Sequence, residues 1–307
     1  MHPDMKRDLI SFALWTRDEL FRVFETARRL KTEPGDSFKH LNGKTAALIF
    51  ERESLRTRVS FEVGILQLGG HSVVLQQETI GMATRESVHD IAQVLSQYND
   101  LIIARTARHQ TCVQLAESAS ISVINAMTDL LHPCQIFSDA FTLLELGRLN
   151  PSTRIVYLGE GNNIVNSWLE FARKVPLQLV ISCPPGHEPH PQILEEAEQA
   201  KVSSITIIPD PMAAAEHADV LYTDVWPPAR EAAGEALRST TFKAFQINKS
   251  LVNLARPDCV VMHRLPANRG EEITSDVIDG KHSIVLQQAG NRLHVQKAAM
   301  AFLVGVA

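Results

Sequence analysis

The chain alternates two hydrophobic rhythms. Short runs that are apolar almost throughout occur at residues 45–50, 71–76, 100–105, 121–127, 154–159, 177–183, 205–208, 220–226, 259–265 and 283–288. Between them lie longer stretches in which apolar residues recur every three or four positions. The first kind predicts strands buried on both faces of a sheet, and the second predicts amphipathic helices. The opening helix is the clearest. Thr16-Arg17-Asp18-Glu19 has the form of a capping box, and Leu20, Val23, Phe24, Ala27 and Leu30 follow at helical spacing. Strands alternating with helices predict parallel α/β sheets with right-handed crossovers.

These strands are many for one doubly wound sheet. Gly147-Arg148-Leu149-Asn150-Pro151-Ser152 is a polar break with four of the predicted strands before it and six after. The expectation is therefore two doubly wound parallel-sheet domains, 1–147 and 148–290, joined by the helix that begins at His132. The active site would lie in the cleft between them. The last helix, Asn291 to Val304 within the tail 291–307, is amphipathic and is expected to pack back on the first domain.

Composition narrows the function. The chain has 307 residues, 45% apolar and 21% charged, with a net charge of −5. No global basic field draws it to nucleic acid or an anionic membrane. Cys112, Cys134, Cys183 and Cys259 are scattered without metal-ligand spacing, so neither a structural zinc nor a disulfide framework is expected. The first residues, MHPDMKRDLISFALW, have acidic and polar breaks, and no long apolar run suggests a signal peptide or membrane span. A reducing cytosol is the expected location.

Candidate chemistry gathers where strands end. After the run Thr45 to Phe50 comes Ser54-Leu55-Arg56-Thr57-Arg58, and then the helical Val59, Phe61, Val63, Ile65 and Leu66. Two guanidiniums and two hydroxyls at a helix start make a phosphate cradle without a glycine-rich loop, because helix N-termini offer unpaired N–H groups and Arg matches phosphate oxygens. In open α/β sheets ligands bind at the carboxyl ends of strands. Arg105, His132 with Gln135, Asn162 with Asn163, Asp224, and His263 with Arg264 all fall at or just past such ends. Each has a plain structural competitor. The Ser54–Arg58 segment could be a solvated loop, His132 a helix cap, Arg105 a structural ion pair, Asp224 a turn cap, and Arg264 a snorkelling strand-end residue. Gly159-Glu160-Gly161-Asn162-Asn163 lacks the third glycine of a dinucleotide fingerprint and fits a tight strand-to-helix turn better. The shared placement of the polar residues carries the functional reading.

Four ordered segments resemble the aspartate/ornithine carbamoyltransferase family, over essentially the whole chain. Ser54 to Arg58 looks like its carbamoyl-phosphate motif, and His132-Pro133-Cys134-Gln135 like its HPxQ motif. Met262-His263-Arg264-Leu265-Pro266-Ala267 resembles HCLPA of the ornithine branch, and Asn291-Arg292-Leu293-His294 resembles its C-terminal segment. Asn162, Asn163, Asn166 and Ser167, with Asp224-Val225-Trp226, also resemble the ornithine branch. The resemblance implies carbamoyl transfer from carbamoyl phosphate to an amino-acid amine, with L-ornithine the first candidate, and with no metal or organic cofactor. It implies that Ser54, Leu55, Arg56, Thr57 and Arg292 hold carbamoyl phosphate, with Arg58 supporting the phosphate side. Arg105 and His132 would polarise the carbamoyl oxygen, while Gln135 and the Leu265 carbonyl would accept from its NH2. Asn163 would contact the acceptor's α-carboxylate and Asp224 its α-ammonium. It further implies a homotrimer or a multiple of trimers, with Arg85 either reaching a neighbour's site or belonging to a solvated loop.

Two departures lie on the acceptor side. Pro228 and Ala229 stand where the branch has Ser-Met, and proline removes a backbone donor. Arg264 stands where the branch has Cys, near the attacking amine, and its charge belongs with the catalytic set of Arg105 and His132. Arg264 could repel an ammonium, attract a carboxylate, or swing outward to Glu271 or Glu272. A different amino-acid acceptor and a catalytically silent relative are therefore the competing readings, and a dinucleotide-dependent oxidoreductase is a distant one.

Overall fold

The computed structural model describes residues 6–33, 39–226 and 240–306. The chain divides into two compact units. One runs to Ser138 and resumes at Asn291, and the other spans Asp139–Gly290.

The first unit is built on four parallel strands, β1 (Thr45–Phe50), β2 (His71–Gln76), β3 (Leu101–Arg105) and β4 (Ser122–Met127), in the order β2-β1-β3-β4. β1, β3 and β4 are almost wholly buried, whereas β2 lies at the edge and alternates. Its helices are α1 (Arg17–Thr32), α2 (Leu55–Gln67), α3 (Gln77–Ile80), α4 (Val88–Tyr98), α5 (His109–Ser118) and the start of α6 (Pro133–Glu145). The Thr16–Glu19 capping box forms as the sequence predicts. Ile91, Leu115 and Cys112 pack against Ala47, Ile49 and Ile102 of the sheet. On another side Phe137 receives the edges of Phe12, Trp15 and Phe24 at 5.1, 5.5 and 5.8 Å between ring centroids. Trp15 also meets Phe302 of the C-terminal helix at 5.1 Å.

The second unit has five parallel strands, β5 (Arg154–Leu158), β6 (Gln178–Ser182), β7 (Ser204–Ile207), β8 (Val220–Thr223) and β9 (Val260–His263), in the order β7-β6-β5-β8-β9. Its helices include α7 (Asn163–Ala172), α8 (Pro191–Gln199) and α9 (Pro211–Ala215). In each sheet the strand order reverses once, between β1 and β3 and between β5 and β8.

The strand expected at 283–288 is instead the beginning of the C-terminal helix, Val285–Leu303. Ser283 makes a single parallel bridge with Val261, and the Ile284 N–H donates to the Val261 carbonyl at 3.0 Å. The chain then turns, and the Gln288 N–H donates to the Ile284 carbonyl at 2.9 Å. A short apolar run fits either a strand or a buried helix start, and here the helix wins after one bridging residue.

Within the second unit Gln288 is fully buried and spans three partners. Its Nε2 donates to Asp139 Oδ1 at 2.8 Å and to the Tyr222 hydroxyl at 3.3 Å. Its Oε1 accepts from the His263 N–H at 3.0 Å. Leucine there would remove these hydrogen bonds from a buried carboxylate, a buried phenol and a buried backbone N–H, so Gln288→Leu is expected to lower the stability of the fold by about 3 kcal/mol, measured by urea denaturation.

Candidate functional site

In the first unit the site grows from the reversal between β1 and β3. Phe50 and Arg105 are register partners at the carboxyl ends of these strands, and the Glu51 N–H donates to the Arg105 carbonyl at 3.0 Å. Glu51 also ties down the loop after β3, its Oε2 accepting from the Ala107 N–H at 2.6 Å. The chain leaving β1 enters α2 through Ser54, whose Oγ caps the helix by accepting from the Thr57 N–H at 3.3 Å. The first turn contains no acidic residue, although Glu51, Glu53 and Glu78 line the space in front of it. Thr57 is 1% exposed and Arg292 only 4%, and Arg292 Nη2 donates to Thr57 Oγ1 at 3.0 Å. An open pocket of about 520 Å³ lies over this helix start, lined among others by Phe50, Arg52, Ser54, Leu55 and Arg58. Arg56 is half-buried on the same turn, while Leu55 is exposed.

Arg105 is the last residue of β3, and its Nη1 lies 3.1 Å from Met127 Sδ at the end of β4. His132, on the connection from β4 into α6, and Gln135, in the first turn of α6, are both buried, and the His132 carbonyl accepts from the Gln135 N–H at 3.0 Å. Because β1, β3 and β4 are parallel neighbours, Ser54, Arg105 and His132 follow the same end of adjoining strands. Arg58 turns away to the helix surface, where its Nε meets Glu62 Oε1 at 2.9 Å. Arg85 is exposed and bends over its own loop, with Nη2 3.5 Å from the Ile80 carbonyl.

In the second unit the reversal lies between β5 and β8, where Leu158 and Thr223 are register partners. The connection from β5 to α7 is the tight turn expected from its glycines. A side-chain carbon at Gly161 would stand 2.3 Å from the Glu188 and Pro189 backbone, so only glycine fits. Asn162 caps α7, its Oδ1 accepting from the Ile164 N–H at 2.9 Å, and Asn163 is the first helical residue, buried.

Asp224 follows β8 directly and is 1% exposed. Its Oδ2 accepts from Asn162 Nδ2 at 3.0 Å and from Arg264 Nε at 2.7 Å, and its buried Oδ1 has no hydrogen-bond partner among the described residues. Arg264 therefore does not swing outward to Glu271 or Glu272. Burial alone would lower the Arg264 pKa, but the charge and hydrogen bond of Asp224 more than offset this and hold it above its usual value. Glu272 belongs to His263, whose Nε2 lies 3.1 Å from its Oε1. His263 Nδ1 accepts from the Leu265 N–H at 2.9 Å, which fixes the tautomer with the proton on Nε2. Leu265 adopts φ 57°, and the peptide it makes with Pro266 is cis. Pro228 and Ala229 lie outside the described residues.

Three residues of this site passed in the sequence as ordinary core or turn. Tyr157 and Tyr222 stack at 5.7 Å, and burial pushes both phenol pKa values well up, so both hydroxyls stay protonated. Tyr157 donates to Asn162 Oδ1 at 3.3 Å and Tyr222 to Asp139 Oδ2 at 2.8 Å. The third is Glu160, whose pKa is raised first by burial and then by the charge of Asp224.

One parallel α/β unit thus carries a capped helix start with no first-turn acid, and the other a buried acid–guanidinium pair. Family models extend this along the chain. The carbamoyl-P binding domain of aspartate/ornithine carbamoyltransferase matches residues 7–145, and the Asp/Orn binding domain matches 152–303. The chain belongs to the aspartate/ornithine carbamoyltransferase family. It is 45% identical over 303 residues to the ornithine carbamoyltransferase of Chlorobaculum tepidum, covering 97% of this chain and 90% of that one. The chloroplastic enzyme of Pisum sativum is 43% identical, with 97% and 80% covered. Among solved structures, the ornithine carbamoyltransferase of Pyrococcus furiosus superposes with a TM-score of 0.94 at 40% identity, covering 98% of each chain. An N-acetyl-L-ornithine transcarbamylase variant gives 0.86 at 29% identity, with 97% and 99% covered.

The raised Glu160 pKa fixes the sign of a pH effect. The folded state binds this proton more tightly than the unfolded chain, so the group lowers stability as pH rises from its ordinary value of 4.5 through the raised value. Glu160→Gln is expected to unfold at a higher temperature than the parent at pH 7, with the gap closing as pH falls and vanishing below about pH 4.5 in calorimetric melts.

Proposed function

We propose that the protein transfers the carbamoyl group of carbamoyl phosphate to the side-chain amine of L-ornithine, giving L-citrulline and phosphate. The observation that carries this reading is the α2 start, capped by Ser54, with Thr57 tied to the buried Arg292 and with Arg105 ending the adjoining strand. It presents backbone N–H groups, hydroxyls and guanidiniums and no first-turn acid, as a phosphorylated substrate requires. The names of the related enzymes support ornithine as the acceptor.

In the proposed reaction the neutral amine attacks the carbamoyl carbon, and negative charge collects on the carbamoyl oxygen. Arg105 and His132 stabilise that charge, and Gln135 orients the carbamoyl NH2. The bond from carbon to the phosphate oxygen then breaks. Phosphate leaves held by Ser54, Leu55, Arg56, Thr57 and Arg292, and it carries away the proton the amine must lose. Catalysis of this kind rests on orientation and preorganised charge. Asp224 takes the α-ammonium at its Oδ1, and Asn163, at the positive end of α7, takes the α-carboxylate. Arg58, engaged with Glu62, acts through the field at the helix start. The same reading makes the enzyme a cytoplasmic homotrimer that uses neither metal nor cofactor. Among the described residues no helix is long and apolar enough to cross a membrane and no cluster of potential metal ligands occurs.

Purified protein given carbamoyl phosphate and a panel of amines is expected to form citrulline with ornithine faster than any other product, and absence of citrulline would overturn the assignment. Arg105→Met is expected to lower kcat/KM by about 10²–10³, as loss of one oxyanion donor does, with thermal stability little changed.

A further inference from the structure

The Arg264–Asp224 pair has a consequence for which acceptors the site admits. We propose that Arg264 is a specificity-determining residue that makes the acceptor site select zwitterionic α-amino acids over plain amines. This rests on the carbamoyltransferase reading above.

The argument is one of charge. Asp224 is buried and offers one occupied and one unoccupied oxygen. Oδ2 is held by Arg264 Nε at 2.7 Å and Asn162 Nδ2 at 3.0 Å, and Oδ1 is buried without a hydrogen-bond partner among the described residues. A lone buried carboxylate would hold any ammonium group, whatever else the ligand carried. Arg264 cancels that charge, because its side chain is only 14% exposed and its guanidinium stays protonated. The surrounding groups change this balance little. Tyr157 and Tyr222 are neutral phenols, Asn162 and Asn163 are uncharged, and burial together with the charge of Asp224 raises the Glu160 pKa, which favours its neutral form. A bare cation thus meets an ion pair that is already matched. A zwitterion completes a four-charge array, with its ammonium on Asp224 Oδ1 and its carboxylate toward the Arg264 guanidinium and the start of α7. The substitution that seemed to threaten an amino-acid acceptor therefore enforces one.

The test compares L-norvaline, which is ornithine without its side-chain amine, with 1-butylamine, which is norvaline without its carboxylate. Calorimetry on the full chain with saturating carbamoyl phosphate would measure both dissociation constants for the parent, Arg264→Met and Arg264→Lys. The parent is expected to prefer norvaline by at least about tenfold, Arg264→Met to lose most of that preference, and Arg264→Lys to keep it, since lysine preserves the charge. A parent without preference, or Arg264→Met with the parent's preference, overturns the proposal. Melting temperatures and carbamoyl-phosphate affinity close to the parent's establish that the Met variant is folded. If citrulline forms but the preference is indifferent to residue 264, the inference fails and the proposed reaction stands. If the preference follows the charge but no citrulline forms, ornithine is the wrong acceptor and the selection of zwitterions stands.

Discussion

Burial of a parallel sheet on both faces is the constraint from which the rest of this molecule follows. Strands such as β1, β3 and β8 commit their backbone groups to neighbouring strands and their side chains to the core. Their length is almost wholly apolar, so most of the chemistry is driven to the ends of the strands and the first residues past them. The two reversals of strand order decide which ends matter. Where β1 and β3 part, connections leave in opposite directions and open room for Ser54 and Arg105. Where β5 and β8 part, the same divergence exposes Asn162 to Asp224.

The two sites solve opposite electrostatic problems. In the proposed reaction the first receives a multiply charged anion, and it offers helix-end N–H groups, hydroxyls and guanidiniums, with Arg292 buried against Thr57. The second carries a buried carboxylate, which is costly unless partnered. Asp224 meets that cost with Asn162 and Arg264. A buried ion pair is weak as a source of stability, because the desolvation of both charges offsets their attraction. Its presence at the reversal point is better explained by ligand selection than by folding.

Much of this was legible in the sequence because it is local. The Thr16–Glu19 capping box, the helix start at Ser54–Arg58 and the glycine-led turn before Asn162 depend on residues within a few positions of one another, and each forms as read. Nine of the apolar runs became strands, two of them with the expected bounds and most of the others trimmed, so that Asp224 and Arg264 lie just outside β8 and β9. The run at 283–288 misled because its fate is decided by one bridge to Val261, a contact between distant positions. Tyr157 and Tyr222 read as core because their rings are core, and only the hydroxyls, placed by Asn162 and Asp139, reveal the polar role. The Arg264 side chain was illegible for a similar reason. Its neighbours in sequence include Glu271 and Glu272, but its partner lies forty positions back, brought beside it by the pairing of β8 with β9.

That pairing also explains how residue 264 can be arginine, where the ornithine-branch motif it resembles has cysteine, without rebuilding the site. His263 is fixed from three directions, by Glu272 at Nε2, by the Leu265 N–H at Nδ1, and by Gln288 at its own N–H. The backbone on either side of residue 264 is therefore held by contacts that do not involve its side chain. A cysteine there would leave the loop where it is, and an arginine extends from the same position to the nearest uncompensated charge, Asp224. The loop geometry is thus insulated from the identity of residue 264, whereas the charge of the acceptor site is not. The Thr57–Arg292 pair belongs to the other unit and makes no use of residue 264.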